Sequence, residues 1–159
     1  MTEIMKLCAV KEEQVRSQIE DLMKAEGNLT LTMKTLPGEV HLQISSQGED
    51  KETRKERKAL IRELKLRFGA SIYTTEPDKH LENVVVELLQ NQGLTVTTVE
   101  SCTGGALSAR IVDVPGASSV FKQGFVTYSN KAKKRYAMVK KSTLKKHGAV
   151  SEKCAKEMA

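Results

Sequence analysis

Two stretches of this chain hold residue types that could do chemistry together. The first is Ser101-Cys102-Thr103-Gly104-Gly105, set between a β-rich run, Leu94 to Val99, and a helical pattern over Ala106 to Val112. Glycines let the backbone turn sharply and approach a ligand closely. Free N–H groups at a helix start can hold an anion or a developing oxyanion. A hydroxyl at a strand end stands where open α/β sheets bind their ligands. Ser101 is therefore a candidate nucleophile, with Thr103, Gly104 and Gly105 lining its pocket. The plainer alternative is that these hydroxyls only cap the helix.

A nucleophilic serine needs a base. The second stretch, Tyr128-Ser129-Asn130-Lys131-Ala132-Lys133, offers one. Tyr128 falls at the close of a strand predicted over Gln123 to Ser129, and Lys133 lies about one helical turn after Asn130, the expected cap. A lysine amine desolvated among other cations can take a serine proton, and a tyrosine can relay it. Spacing leaves Lys131, Lys133 and Lys134 open as that lysine. Histidine is a poorer base here: His41 sits in a hairpin, His80 begins a helix, and His147 precedes Gly148 at a helix end. Cys8, Cys102 and Cys154 are widely spaced and form no CxxC pair, which disfavours a disulfide framework and a zinc site. Neither metal nor cofactor is expected.

The elements that must carry these residues follow from periodicity. Lys6 to Val10 is a strand candidate. Val15, Ile19, Leu22 and Met23 then repeat at helical spacing up to Gly27. Leu29, Leu31 and Met33 alternate with polar residues, as do Val40, Leu42 and Ile44, and Leu36-Pro37-Gly38-Glu39 between them is a type II turn signal. A helix over the basic stretch ends near Gly69, a strand spans Ala70 to Thr75, and Glu76-Pro77-Asp78 marks a boundary. Beyond it, Leu81, Val84, Val85 and Leu88 predict a helix closed by Gly93, and Val114-Pro115-Gly116-Ala117 a turn. The order helix, strand, helix, strand predicts an α/β layer structure.

The 159 residues are 39% hydrophobic and 29% charged, with three Phe, three Tyr and no Trp, so the core must be aliphatic. No run of 18 apolar residues is present, and the N-terminus lacks the basic and apolar regions of a secretory signal, so a cytoplasmic protein with no membrane partner is expected. The net charge of +6 is uneven. Lys51 to Arg67 carries eight basic and three acidic residues, while Lys131 to Lys146 carries eight basic and no acidic ones. Such stretches attract phosphorylated ligands or nucleic acid. In the first, however, Leu60, Ile61, Leu64 and Phe68 form an apolar helix stripe, and the charges read as its wet face.

The same residues also carry a resemblance. Thr98-Val99-Glu100-Ser101-Cys102-Thr103-Gly104-Gly105, Val114-Pro115-Gly116-Ala117-Ser118, Thr127-Tyr128-Ser129-Asn130 with Lys133, and His147-Gly148-Ala149-Val150-Ser151 occur in one order and spacing. Together they resemble the C-terminal domain of the competence/damage-inducible CinA family over residues 78 to 159. The preceding module is similar to that family's small KH-like domain. The expected fold is α/β: a KH-like α+β domain over residues 1–75, then the first part of a three-layer α/β/α amidohydrolase domain over residues 76–159. The resemblance implies nicotinamide-nucleotide amidohydrolase activity, in which nicotinamide mononucleotide and water give nicotinic acid mononucleotide and ammonia. By motif position it implies Ser101 as nucleophile, Lys133 as base and Tyr128 as proton relay, without metal, and it places Glu100, Thr103, Gly104, Gly105 and Asn130 about the substrate.

The chain departs from the family pattern in three places. It lacks the molybdopterin-binding-like domain of long members, and it stops within Ser151 to Ala159, short of a Gly-Ile-Ala-Gly-Pro type loop that helps form the family's pocket. Tyr136-Ala137-Met138 stands where the family has Leu-Leu-Gly. A second module given only in part implies an unpaired sheet edge and open apolar faces at Val84, Leu88, Val126 and Val139, and hence a homo-oligomer or a completing segment. Two other readings compete with the amidohydrolase, a non-catalytic assembly remnant and a KH-like nucleic-acid-binding module. Against the last, no GXXG loop occurs between residues 1 and 75.

Overall fold

A computed structural model describes residues 2–23 and 27–159, which divide into two compact units, Met1–Leu81 and Glu82–Ala159. In the first, an antiparallel sheet has the order β2–β3–β1–β4, formed by β1 (Thr2–Cys8), β2 (Leu29–Leu36), β3 (Glu39–Ser46) and β4 (Ile72–Thr74). Side chains alternate across a strand. Met5, Leu7, Leu31, Val40, Leu42 and Ile44 thus share one face, buried under Val15 and Ile19 of α1 (Glu12–Met23) and Leu64 and Phe68 of α2 (Lys51–Phe68). The β2–β3 hairpin turns at Pro37-Gly38 with Gly38 at φ 80°, as the turn signal requires. α1 is described to Met23, and Gly27, expected as its stop, is not helical.

Three sequence expectations shift in this unit. β1 runs Thr2–Cys8 instead of Lys6 to Val10, and the strand expected over Ala70 to Thr75 is a 3-10 turn, Gly69–Ser71, followed by the short β4. The charges of α2 do more than coat a wet face. Arg57, only 8% exposed, donates to Glu49 Oε1 at 2.9 Å and lies 3.3 Å from Glu3 Oε1, while Arg67 pairs with Asp21 and Glu63. Lys6 points away from the core yet is buried, and its Nζ donates to the carbonyls of Pro77 at 2.6 Å and Lys79 at 2.9 Å.

The second unit is built on two parallel strands, β5 (Val96–Glu100) and β6 (Phe121–Val126), connected through α4 (Ala106–Val112). Parallel neighbours need a crossover of this kind. Val86 of α3 (Leu81–Gln92) packs with Ile111, Val114, Ala117 and Val120. A smaller core of Ala137, Val139 and Cys154 gathers α5 (Asn130–Tyr136), α6 (Lys141–His147) and α7 (Glu152–Met158), with Val99, Leu144 and Met158 against it. Lys131, Lys134 and Arg135 of α5 and Lys141, Lys145 and Lys146 of α6 are exposed.

Here too the phase differs from expectation. The run Val84-Val85-Val86 hides which side faces inward; Val86 is the buried one, and Val85 and Leu88 are exposed. Val139, expected to lie open, is buried. β6 starts at Phe121 and stops at Val126, so Tyr128 lies in the loop beyond the strand. The cap of α5 is Ser129, whose hydroxyl accepts from Ala132 N–H at 3.0 Å, and Asn130 is the first helical residue. No helix among the described residues is long and apolar enough to cross a membrane.

α5 ends just ahead of Met138, where the resemblance implies a glycine. Met138 takes φ 55°, which lets both Ala137 N–H and Val139 N–H return to the Lys133 carbonyl, each at 3.1 Å. A side chain in this left-handed region costs about 1 kcal/mol, and Met138 is 79% exposed, so little packing offsets it. Met138→Gly is expected to stabilise the second unit by about 1 kcal/mol, read as a higher urea midpoint at unchanged slope.

Candidate active site

Ser101 follows β5 directly, and the chain then folds back on itself. Gly104 N–H returns to the Ser101 carbonyl at 3.0 Å and Ala106 N–H to that of Thr103 at 3.1 Å. Gly104 at φ 62° and Gly105 at φ 102° both occupy the left-handed region, which explains the glycine pair and the abrupt start of α4. β6 brings the second stretch alongside: Thr127 N–H donates to the Glu100 carbonyl at 2.7 Å, extending the β5–β6 pairing to the loop that leads into α5.

Lys133 meets Ser101 there. It is 2% exposed, and its Nζ lies 2.7 Å from Ser101 Oγ, 2.9 Å from the Thr127 carbonyl and 3.1 Å from the Tyr128 carbonyl. Buried charges are ordinarily paired, but Lys133 makes no ion pair among the described residues. Its Nζ donates to all three, the Ser101 hydroxyl oxygen and the two carbonyls, so the side chain is held from three directions with Ser101 as one of them. Lys131 and Lys134 are exposed, so of the three lysines left open by spacing it is Lys133 that α5 brings to Ser101.

The remaining expected site residues divide. Ser101, Cys102 and Thr103 line a cleft of about 720 Å³, together with Val99, Glu100 and Leu107 and with Ala149 to Glu152, Ala155 and Met158 around α7. Gly104, Gly105 and Asn130, expected about the substrate, are not among its lining residues: the glycines shape the turn, and Asn130 opens α5. Tyr128 reaches Lys133 through its carbonyl, while its side chain is 73% exposed. Glu100 is buried and both its oxygens are bonded within the protein. Hydrogen bonds to Ser108 and to backbone N–H groups hold its carboxyl at about 2, well below the usual glutamate range. The described residues include no cluster of three or more His, Cys, Asp or Glu that could hold a metal.

Sequence reasoning missed three residues behind the serine. Ser108 Oγ donates to Glu100 Oε1 and lies 2.7 Å from Thr98 Oγ1. Gly124 faces Thr98 across the strand pair, and a Cβ placed on it would sit 2.7 Å from Thr98 Oγ1 and 2.9 Å from Ser108 Oγ. A glycine inside a strand run is the one signal that could have found this close approach.

An antiparallel α+β unit and a parallel-stranded unit with a serine–lysine contact at the strand ends define a mixed α/β chain of two modules. The family model for the damage-inducible protein CinA KH domain matches residues 2–74, and that for the CinA C-terminal domain matches residues 78–159. A CinA-like protein of Dictyoglomus turgidum is 38% identical over 159 residues, covering 99% of this chain and 38% of its own. A CinA-like protein of Chloroherpeton thalassium is 47% identical over 121 residues, covering 76% of this chain and 29% of its own. A solved competence-damaged protein (CinA) superfamily protein of Escherichia coli shares 33% identity over 55% of this chain and 53% of its own, with a TM-score of 0.50. The chain belongs to the CinA family, with a KH domain followed by a CinA C-terminal domain. It spans under two-fifths of the length of these curated relatives.

Proposed function

We propose that the second unit carries the site of a nicotinamide-nucleotide amidohydrolase, converting nicotinamide mononucleotide and water to nicotinic acid mononucleotide and ammonia. The observation that carries the reading is the 2.7 Å contact between buried Lys133 and Ser101, a residue that lines a cleft. A serine–lysine pair is one of the recurring solutions to acyl transfer. Ser101 Oγ attacks the carboxamide carbon while its proton passes to Lys133 Nζ. The tetrahedral intermediate collapses as the same proton goes to the leaving nitrogen, releasing ammonia and an acyl ester on Ser101. Water, deprotonated by Lys133, then attacks the ester, and as the acyl–oxygen bond breaks the proton returns from Lys133 to Ser101 Oγ, freeing the carboxylate and restoring both residues.

The developing oxyanion needs donors. At the start of α4 the N–H groups of Leu107 and Ser108 are already taken by Glu100, and that of Gly104 by Ser101. The N–H groups of Cys102 and Thr103 donate to no backbone carbonyl among the described residues, and both residues line the cleft, so they serve as the oxyanion donors in this scheme.

Tyr128 holds the amine through its carbonyl, and its phenol is the proposed relay, turned inward when substrate fills the cleft. Tyr128→Phe keeps the carbonyl and removes only the hydroxyl, and is expected to lower kcat by about 10²-fold. An unchanged kcat would leave Tyr128 a backbone role alone. The reading as a whole is tested by ammonia release from nicotinamide mononucleotide: turnover that disappears in Ser101→Ala supports it, and no release above the uncatalysed rate defeats it.

A further inference from the structure

We infer that Glu100 is a positioning residue that holds the Ser101 turn in place, and that Gly124 is the position that must stay without a side chain for it to do so. The inference rests on the proposed hydrolysis for its kinetic arm and on the hydrogen bonding alone for its other arm.

Glu100 binds in three directions. Its Oε2 accepts from Leu107 N–H at 2.9 Å and its Oε1 from Ser108 N–H at 2.9 Å and from the Ser108 hydroxyl, with the Thr103 side chain adding a further hydrogen bond. A carboxylate has about four lone-pair sites, so none is left for a ligand although Glu100 borders the cleft. Its carbonyl accepts from Thr127 N–H at 2.7 Å, and Thr127 in turn holds the Lys133 amine. Its own peptide bond leads into Ser101. One residue therefore ties together the start of α4, the loop carrying the amine, and the serine.

The chain of bonds continues backwards. The Ser108 hydroxyl has one proton, which goes to Glu100, so Thr98 donates its own to Ser108 Oγ across 2.7 Å. Thr98 and Glu100 are 5% exposed, and Gly124 lies directly over the Thr98–Ser108 bond. A Cβ there would come within 3.0 Å of both oxygens and 3.0 Å of Phe121 Cζ. Such a contact pushes the bond apart without placing any atom in the cleft.

Positioning and substrate binding separate cleanly in kinetics. A displaced nucleophile lowers kcat with little change in KM, whereas a lost substrate contact raises KM. Glu100→Gln, which swaps one acceptor for a donor, is expected to lower kcat by about 10²-fold with KM changed less than about threefold. Gly124→Ala should show the same split. An increase in KM at unchanged kcat in Glu100→Gln would overturn the inference and return Glu100 to the substrate.

The second arm reads the bonds themselves, in the folded protein and without substrate. Amide hydrogen exchange at Leu107 and Ser108, followed by NMR, should speed up at least about tenfold in Glu100→Gln, and in Ser108→Ala if the first variant does not fold. The wild-type protection has a defined pH course. A carboxyl held at about 2 against an ordinary 4.5 contributes fully above 4.5 and is lost as the pH falls toward 2. The Glu100→Gln protein lacks that loss. Unchanged exchange at both amides defeats the inference whether or not the chain hydrolyses nicotinamide mononucleotide.

Discussion

Lys133→Met is expected to abolish hydrolysis of nicotinamide mononucleotide, with kcat down by about 10³-fold or more. Methionine fills nearly the same volume but accepts no proton from Ser101, so the serine keeps its hydrogen and attacks poorly. The structural cost is real but bearable. The carbonyls of Thr127 and Tyr128 lose their donor, worth about 1–3 kcal/mol, against a gain from burying an apolar side chain. Near-ultraviolet circular dichroism should show a folded protein. The comparison that decides is with Lys131→Met and Lys134→Met. Both lysines are exposed on α5, and their removal should weaken only long-range attraction of an anionic substrate, an effect that added salt erases. If Lys131→Met or Lys134→Met were the inactive variant, the assignment of the base would be wrong.

Ser101→Ala should be the most damaging single change, lowering kcat by about 10⁴-fold or more. It deletes one oxygen at the rim of the cleft and leaves Lys133 its two carbonyl partners, so stability should change by less than about 1 kcal/mol. Residues that act as one unit give effects that do not add. The double variant Ser101→Ala/Lys133→Met should therefore be no slower than Ser101→Ala alone. A further drop in the double variant would show that Lys133 assists hydrolysis by some route other than the serine.

The parts of this protein that were legible in its sequence are those where local chemistry and tertiary structure agree. Pro37-Gly38 between two alternating runs gives the hairpin, and Ala106 to Val112 is helical as read. The turn from Glu100 to Gly105 falls between strand and helix because only glycines tolerate its backbone. Lys133 was harder. Spacing alone leaves Lys131, Lys133 and Lys134 open, and it is the helix that starts at the Ser129 cap that turns Lys133 inward. Three consecutive valines in α3 carry no phase, so the buried Val86 could not be told from Val85. The sequence reading starts β6 two residues late and ends it three late because Lys122, Gln123 and Gly124 interrupt its apolar pattern, and Gly124 faces Thr98 and Ser108, which lie far from it in sequence. Glu100 sits inside a motif that suggests a ligand contact, and only the α4 N–H groups closing over it show where its charge is spent.

Lys6 has a consequence for how the first unit can be made or cut. Its amine is buried in β1, and the carbonyls it needs belong to Pro77 and Lys79. In a nascent chain this polar group is therefore made more than seventy residues ahead of its partners. Until then the amine must stay in water, which keeps that end of the strand from settling early. The same dependence fixes where a scissors cut is tolerable. A fragment ending at residue 75, where the sequence pattern closes the module, discards both acceptors and leaves the amine either buried without them or pulling its strand open. One ending at Leu81 keeps them.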